Sequence, residues 1–345
     1  MMHLVLRTWI CLTALVLLRC SDTPETVQPV PGTNLPRSPP GQVVAPDSEW
    51  ETLGRGYVYS DAPASDAEGN VYYVAITQNR IYRISPEGQV ETFDTGTAMT
   101  MGLTFGPEGR LYGCRNRDAQ IVVYTIDGER EVLVQGELTP IPGRPGAPSQ
   151  FCNDLAVSST GDIWFTDRIN RQVKHVDAAG KVSVVASGFR PNGITLSADG
   201  SMLAVTDSLK PKLWAFTVGE GGSLTLVEDF FDPVMMAIDL DGEAINEGRP
   251  GTNGMTVDQE GRYFVSSFFG IQVFDPQGKY IGVIDRPTKF VSNLAFGGEK
   301  CNYLYATGLN GIYRLATLTT GAHHHAHAKV PAEPVVQGDA PAETL

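Results

Sequence analysis

The chain repeats one pattern of polar turns and short apolar strands along most of its length. In each copy a polar turn ends in Gly and leads into an apolar run, as residues 66–69 lead into 71–74. Two further strands follow with a second Gly-containing turn between them, as in 80–84 and 90–93. Strict alternation and this turn chemistry predict an antiparallel meander of four strands in each copy.

Six such copies recur at intervals of about 40 to 60 residues, the range of propeller blades. The sequence therefore predicts an all-β fold, a six-bladed β-propeller. The sixth copy lacks a clear fourth strand, and residues 49–53, ahead of the first copy, can supply it. Pairing of the N- and C-terminal strands in one blade would close the ring and leave no long edge exposed.

The two ends of the chain differ from the repeats in composition. Arg7 and the short apolar run 8–18 resemble a signal peptide, which is too short to span a bilayer. We divide the chain into a signal peptide, a Pro-rich linker, the propeller and a disordered His-containing tail, at residues 1–20, 21–45, 46–318 and 319–345. This organisation predicts an exported protein, either periplasmic or extracellular.

The end of the leader leaves two alternatives open. Residues 17–20 end in Cys20 and resemble a lipoprotein signal, although Arg19 stands where a small residue is expected. Ordinary cleavage near Ser21 is the alternative. A lipid on Cys20 is the one membrane attachment that the sequence suggests.

Three cysteines remain in the propeller, at positions 114, 152 and 301. An odd number in an oxidising compartment permits at most one disulfide, and the sequence does not identify the pair. Buried free thiols are the simpler expectation, and for Cys152 we expect a packing role.

The chain is acidic, with a formal net charge of -13. This balance argues against a nucleic-acid partner, because the basic footprint of such proteins is missing. We expect a monomer that acts on a small molecule.

One polar position recurs in register through the repeats. Counting back eight residues from each turn residue gives six positions: Asp61, Met101, Asn153, Asn192, Asn253 and Asn293. Each precedes the apolar run of a predicted innermost strand, so all six should converge at one end of the central channel. One carboxylate and four amide oxygens suit a hard cation such as Ca²⁺. The alternative is ordinary turn chemistry, because Asn-Gly and Asn-Asp are common turn dipeptides.

These motifs together resemble a known family over about residues 50–316. The segments that carry the resemblance are Asn79-Arg80-Ile81-Tyr82-Arg83, Cys152-Asn153-Asp154-Leu155, Pro191-Asn192-Gly193-Ile194, Asn253-Gly254-Met255 and 292–298. They are similar to motifs of the gluconolactonase, senescence-marker-protein and luciferin-regenerating-enzyme-like propellers, which include lactonases. The resemblance implies one divalent ion, usually Ca²⁺, with these ligands: Asp61, Asn153, Asn192 and Asn253.

Two positions depart from the family pattern. Asp61-Ala62-Pro63 stands where the family has Glu-Gly-Pro, and Asn253-Gly254 stands where it has Asp-Gly. In the family the matching Asp is also the favoured base or nucleophile. Because the site has one anionic ligand where the family has two, we expect it to bind the ion more weakly than is usual in the family.

The leading functional hypothesis is divalent-metal-dependent hydrolysis of a sugar lactone or similar ester. The metal would polarise a carbonyl or a water, and Asp61 and Asn253 are the candidate catalytic residues. Asn153, Asn293 and Met101 are candidate substrate contacts. Asp154 is a second candidate base, with a structural turn role as the alternative. His175, the single His of the propeller body, is expected away from the ring, which argues against a nucleophilic triad.

A different class of function stays open. A propeller without its acidic base could be a non-catalytic ligand- or protein-binding module of the cell envelope, and Asn253 is the feature that favours this alternative. Two long inserts, 140–150 and 232–252, are expected to wall the mouth of the channel and shape its specificity.

Overall fold

The computed structural model describes residues 40–125, 128–141, 143, 150–236 and 249–322. The predicted leader with Cys20, most of the Pro-rich linker and nearly all of the C-terminal tail lie outside the described residues, as does the middle of each long insert. Within the described ranges, no helix has both the length and the apolar character needed to cross a membrane.

The described residues form twenty-two strands and three short 3-10 helices. Six strands contain or closely follow the predicted ring positions: β1 (Glu51–Ser65), β5 (Thr100–Phe105), β9 (Leu155–Val157), β13 (Pro191–Leu196), β17 (Met255–Val257) and β21 (Val291–Gly297). Their direct partners are β2 (Val71–Ala75), β6 (Leu111–Arg115), β10 (Ile163–Asp167), β14 (Met202–Asp207), β18 (Tyr263–Ser266) and β22 (Tyr303–Ala316).

The remaining strands lie further from the channel axis. The third strands are β3 (Arg80–Ile84), β7 (Gln120–Tyr124), β11 (Gln172–Val176), β15 (Leu213–Val218) and β19 (Ile271–Phe274). The outermost are β4 (Val90–Thr95), β8 (Arg130–Gln135), β12 (Val182–Ser187), β16 (Leu224–Val227) and β20 (Tyr280–Ile284). The 3-10 helices span Ile76–Gln78, Pro107–Gly109 and Glu220–Gly222.

Hydrogen bonding joins these strands into five antiparallel sheets. Four sheets have four strands each, and the fifth has six in the order β21-β22-β1-β2-β3-β4. The all-β propeller class is thus correct, but the prediction of six blades is wrong, and the propeller has five. The reason is that β1 is one continuous strand. Its first part pairs with β22 from Glu51 to Tyr59, and its last part pairs with β2, so the two blades predicted at the chain ends are one sheet.

The innermost strands surround a central channel. Each of the six packs against the next, from β1 through β5, β9, β13 and β17 to β21 and back to β1. The six-stranded sheet contributes both β1 and β21, so five sheets supply six channel strands. The second strands are sandwiched between neighbouring sheets, which is why β2, β6 and β10 are buried at every position. Such two-sided burial explains their near-continuous apolar sequence.

A disulfide ties the second sheet to the third. Cys114 in β6 and Cys152, just before β9, form this bond, with Cα atoms 5.5 Å apart and 38 residues between them in sequence. The expectation of free thiols is therefore wrong for this pair, while Cys301 is buried and takes no part in this disulfide. The bond holds the residue that directly precedes Asn153, so it restrains one position of the predicted ring.

Loss of this disulfide is expected to destabilise the protein by about 4 kcal/mol, the loop-closure value for a ring of this size. The variant with Cys114→Ser and Cys152→Ser should melt several degrees below the parent. Cys301→Ser, which leaves the Cys114–Cys152 bond intact, is the control. Equal melting temperatures for parent and double variant would contradict the expectation.

Candidate functional site

The structure places all six ring positions at one end of the channel, where the inner segments of the six channel strands start. Four are buried, with exposed fractions of 5% for Asp61, 7% for Asn153, 6% for Asn192 and 7% for Asn293. Met101 and Asn253 are half-buried. Proximity does not assign chemistry, so the ligand, catalytic and substrate roles of these residues stay predictions.

Hydroxyl groups near the ends of the second strands hold the ring backbone in place. The Thr166 hydroxyl donates to the Asn192 carbonyl at 2.6 Å, and the Thr206 hydroxyl donates to the Asn253 carbonyl at 2.8 Å. Both bonds cross from one sheet to the next, so neighbouring blades position each other's ring residues. The sequence signal for this support is a Thr near the end of an otherwise apolar run.

The glycines that follow two ring residues allow close contact between sheets. A Cβ atom at Gly193 would overlap the Asn253 carbonyl oxygen, and one at Gly254 would overlap the side-chain oxygen of Asn293. Asn192 and Gly193 both lie within β13, and neither has a positive φ. The Asn-Gly pair at 192 therefore reflects close packing at the channel, and the ordinary-turn interpretation is wrong for it.

Asp61 is the carboxylate of the ring. Its Oδ1 accepts a hydrogen bond from the Ala62 N–H at 2.9 Å, and its Oδ2 accepts one from the Tyr59 hydroxyl at 3.3 Å. Ala62 has a φ of 53°, a left-handed conformation at the irregular point of the β1–β2 pairing. Burial raises the pKa of Asp61 to about 7, against the opposing effect of these hydrogen bonds.

Asp154 is a second carboxylate just inside the mouth. Its Oδ1 accepts from the Leu155 N–H at 3.0 Å, and its Oδ2 accepts from the Asn293 side-chain amide at 3.1 Å. Burial, together with the nearby charge of Asp61, raises the pKa of Asp154 to about 8. The side chain lines the channel cavity beside apolar residues such as Leu103. Asp154 therefore lies at the channel, and its role as a base stays a prediction.

Two ring amides make no hydrogen bond to the protein within the described ranges. Asn153 and Asn192 are buried as whole residues, but their side-chain atoms are not among the fully buried atoms that lack a partner, so the amides keep some access to solvent. Their oxygens stand in the same ring as the Asp61 carboxylate and the Asn253 amide, and such oxygens suit Ca²⁺. The described part of the chain holds no cluster of three or more His, Cys, Asp or Glu residues suited to a metal. A cation here would therefore depend on amide oxygens.

Two further residues at the mouth are not predictable from the repeat. The Tyr59 hydroxyl donates to Asp61; burial raises the pKa of Tyr59, and the Asn253 side chain is close enough to lower it. Arg168 follows β10, and its charge acts on both Tyr59 and Asp61. The only sequence signal is adjacency, since Tyr59 stands two residues before Asp61.

The remaining predicted positions are more peripheral. Met101 Sδ lies 3.9 Å from the side-chain nitrogen of Gln150, the last residue of the first long insert. His175 lies in β11, buried and 2.9 Å from an Asp162 carboxylate oxygen, in keeping with the expected place away from the ring. Cys152 is in the disulfide and has no thiol to offer.

The two raised pKa values predict how the metal-free protein responds to pH. Between about pH 4 and the folded-state pKa values, the folded protein keeps protons that the unfolded chain releases, so stability falls as pH rises through this window. We expect the chelated protein to melt at a higher temperature near pH 6 than near pH 8. Asp154→Asn should flatten this slope in differential scanning calorimetry. Asp229→Asn, at a side chain 95% exposed, should leave it unchanged.

Comparison with known proteins places this site in a family. Residues 54–310 match the model of the SMP-30/gluconolactonase/LRE-like region. The chain belongs to this family. The resemblance found in its motifs is thereby confirmed.

Several individual proteins are similar to this member of the family. A gluconolactonase of Zymomonas mobilis is 26% identical over 324 residues, covering 82% of this chain and 83% of that protein. The pentonolactonase XacC of Haloferax volcanii is 25% identical and covers 71% and 79% of the two chains. A gluconolactonase structure from Xanthomonas campestris has a TM-score of 0.66 at 24% identity, covering 86% of this chain and all of that one. The calcium-binding protein regucalcin of Agrobacterium tumefaciens has a TM-score of 0.61 at 18% identity, covering 80% and 96%. The structural likenesses support the propeller fold.

Proposed function

We propose that this family member is a Ca²⁺-dependent lactonase that opens the ring of a sugar-derived lactone. The observation that carries the proposal is the ring at the channel mouth, where the Asp61 carboxylate stands with amides that lack a partner among the described residues. Relatives named gluconolactonase, pentonolactonase and 6-deoxy-6-sulfogluconolactonase support the reaction class. The calcium-binding neighbour is consistent with the choice of ion.

The residues that would hold the ion are Asp61, Asn153, Asn192 and Asn253. A bound divalent ion supplies Lewis-acid polarisation of a carbonyl or water. With a single anionic ligand, we expect the affinity to be weaker than in members that carry two.

Side chains of the protein itself would accept the proton that an attacking water loses. Asp61 Oδ2 is the atom best suited to accept a proton from an attacking water, because Oδ1 accepts from the Ala62 N–H while Oδ2 faces the Tyr59 hydroxyl. Asp154 is committed to Leu155 and Asn293, so it holds the Asn293 amide in place. Asn293 itself is bonded at both ends, since its Oδ1 accepts from the Leu294 N–H at 2.8 Å. These bonds favour a positioning role for Asn293 over the direct substrate contact predicted from sequence.

The site of action that we propose is outside the cytoplasm. The Cys114–Cys152 disulfide supports this proposal, because structural disulfides persist in oxidising compartments. Export, the signal cleavage type and a monomeric state remain proposals from the sequence.

The direct test uses the mature protein after chelation. Hydrolysis of glucono-1,5-lactone and of a pentonolactone is followed by acid release in a pH-stat, with and without Ca²⁺. We expect hydrolysis above the spontaneous rate that disappears on chelation and returns with Ca²⁺. Binding of Ca²⁺ and sugar acids without turnover would instead support the binding-module alternative that Asn253 suggests.

A further inference from the structure

An arginine at the channel mouth has no protein partner among the described residues. Arg168 is half-buried, and its Nε atom is fully buried without a hydrogen bond. Nor does its guanidinium form an ion pair with any carboxylate in the part of the chain that the structure describes. A buried guanidinium nitrogen without a partner is unfavourable, so an anion beside Arg168 would be stabilising.

The position of Arg168 is above the ring. It begins the hairpin turn after β10 in the third sheet, on the side of the channel where the ring lies. Its charge interacts with Asp61 and Tyr59 of the six-stranded sheet, although neither group is within hydrogen-bond reach.

A second arginine increases the local positive charge. Arg190, two residues before Asn192, is close enough that its charge lowers the pKa of Arg168. Two neighbouring guanidinium groups raise the local positive potential, which attracts an anion. Because the whole chain carries a formal charge of -13, an anionic ligand would be repelled without such a local reversal of sign.

Aromatic side chains also stand at the mouth. The Tyr59 ring stacks against Phe290 with centroids 6.1 Å apart, and Phe290 meets Phe268 at 5.8 Å. All three side chains are half-buried, and the Tyr59 hydroxyl donates to the ring carboxylate Asp61. A ligand in the mouth would thus meet aromatic carbon as well as the guanidinium.

We propose that Arg168, assisted by Arg190, binds an anionic substituent of the substrate, so that the preferred lactones carry a sulfonate, phosphate or carboxylate group away from the reacting ester. The proposal rests on the lactonase function proposed above and narrows its substrate class. A planar guanidinium binds two oxygens of such a group at once, which gives orientation as well as affinity. The lactone ring would then lie over Asp61, beside the aromatic side chains.

The experiment compares glucono-1,5-lactone with its 6-deoxy-6-sulfo and 6-phospho counterparts, in parent protein and Arg168→Gln. We expect the parent to have the higher kcat/KM for the anionic lactones, with a KM that rises with ionic strength. Arg168→Gln should lower kcat/KM for these by about 10- to 100-fold, mainly through KM. Its kcat/KM for the neutral lactone should fall by a clearly smaller factor, which reflects only the effect of the Arg168 charge on Asp61. Arg168→Lys should retain part of the preference, because it keeps the charge and loses the planar fork.

Arg171→Gln is the matched control, since Arg171 is exposed in the same turn. It should leave both substrate classes unaffected. Removing an unpartnered buried charge should also raise the melting temperature of substrate-free Arg168→Gln, which shows that the variant folds.

The possible outcomes separate this inference from the lactonase proposal. If the parent protein hydrolyses none of the lactones, the lactonase proposal is refuted. Equal kcat/KM for neutral and anionic lactones in the parent refutes the anion proposal alone. An equal loss on all substrates in Arg168→Gln also overturns it, because Arg168 would then act on a group common to every lactone.

Discussion

Replacing Asp61 by Asn is expected to remove Ca²⁺ binding and to lower lactone hydrolysis by about 10³-fold or more. Asp61 is the only carboxylate among the six ring positions, so its loss leaves neutral amides to compensate a dication. The shape of the side chain is unchanged, and its two hydrogen-bond neighbours, Ala62 and Tyr59, stay in place. A loss of Ca²⁺ binding and hydrolysis would therefore result from the change in charge and in proton transfer, and not from altered packing.

Two measurements check this expectation. Calorimetric titration with Ca²⁺ gives the binding, and a pH-stat assay gives the turnover. The metal-free variant should be at least as stable as the parent near pH 8, since burying the ionised carboxylate carries a penalty that the amide avoids. Asp229→Asn is the control, at an exposed side chain with a φ of 49° that Asn tolerates. Full activity in Asp61→Asn would place the chemistry elsewhere.

Asn253→Asp restores the carboxylate that the family has at this position. We expect this change to increase both Ca²⁺ binding and lactone hydrolysis. A second anionic ligand should tighten Ca²⁺ binding by about one to two powers of ten. A base beside the metal would add to turnover, where general-base assistance is worth about 10²–10⁴ in rate. The backbone of residue 253 is held by Thr206 and by Ser266, so the change should leave its position intact.

The matched control is Asn293→Asp, the same change at another ring position. Its amide donates to Asp154, so a carboxylate there would lose the donor and face a like charge. We expect Asn293→Asp to destabilise the protein without tightening Ca²⁺. Tighter binding without faster turnover in Asn253→Asp would mean that the base lies elsewhere. Weaker binding would show that residue 253 is no ligand.

The repeat made much of this architecture predictable from sequence. The spacing of eight residues between ring position and turn is a local property of each copy. The prediction of the ring therefore does not depend on whether the copies form five sheets or six. The blade count failed because it depends on hydrogen-bond continuity along β1, from Glu51 to Ser65. The predicted pairing of residues 49–53 with the last copy is confirmed, since β1 pairs with β22, but no local pattern shows that this segment continues unbroken into the first innermost strand.

The site could be predicted only in part, because the sequence does not show which way a side chain points. Asp154 looked like part of a turn dipeptide, and only the fold shows that it enters the channel and contacts Asn293. Arg168 carries no periodic signal, because its significance comes from a sheet that is distant in sequence. The Cys114–Cys152 pair likewise required the geometry of two adjacent sheets.

The six-stranded sheet also determines when the site can form during folding. The Ser60 hydroxyl, next to Asp61, donates to the carbonyls of Gly308 and Gly311 at 3.2 and 2.7 Å. These partners lie about 250 positions later in the chain. Contacts of such sequence separation form late, because a long loop must close first. A chain still being synthesised or exported therefore lacks the support for its acidic ligand, and the channel mouth becomes able to bind an ion only when the final strand is in place.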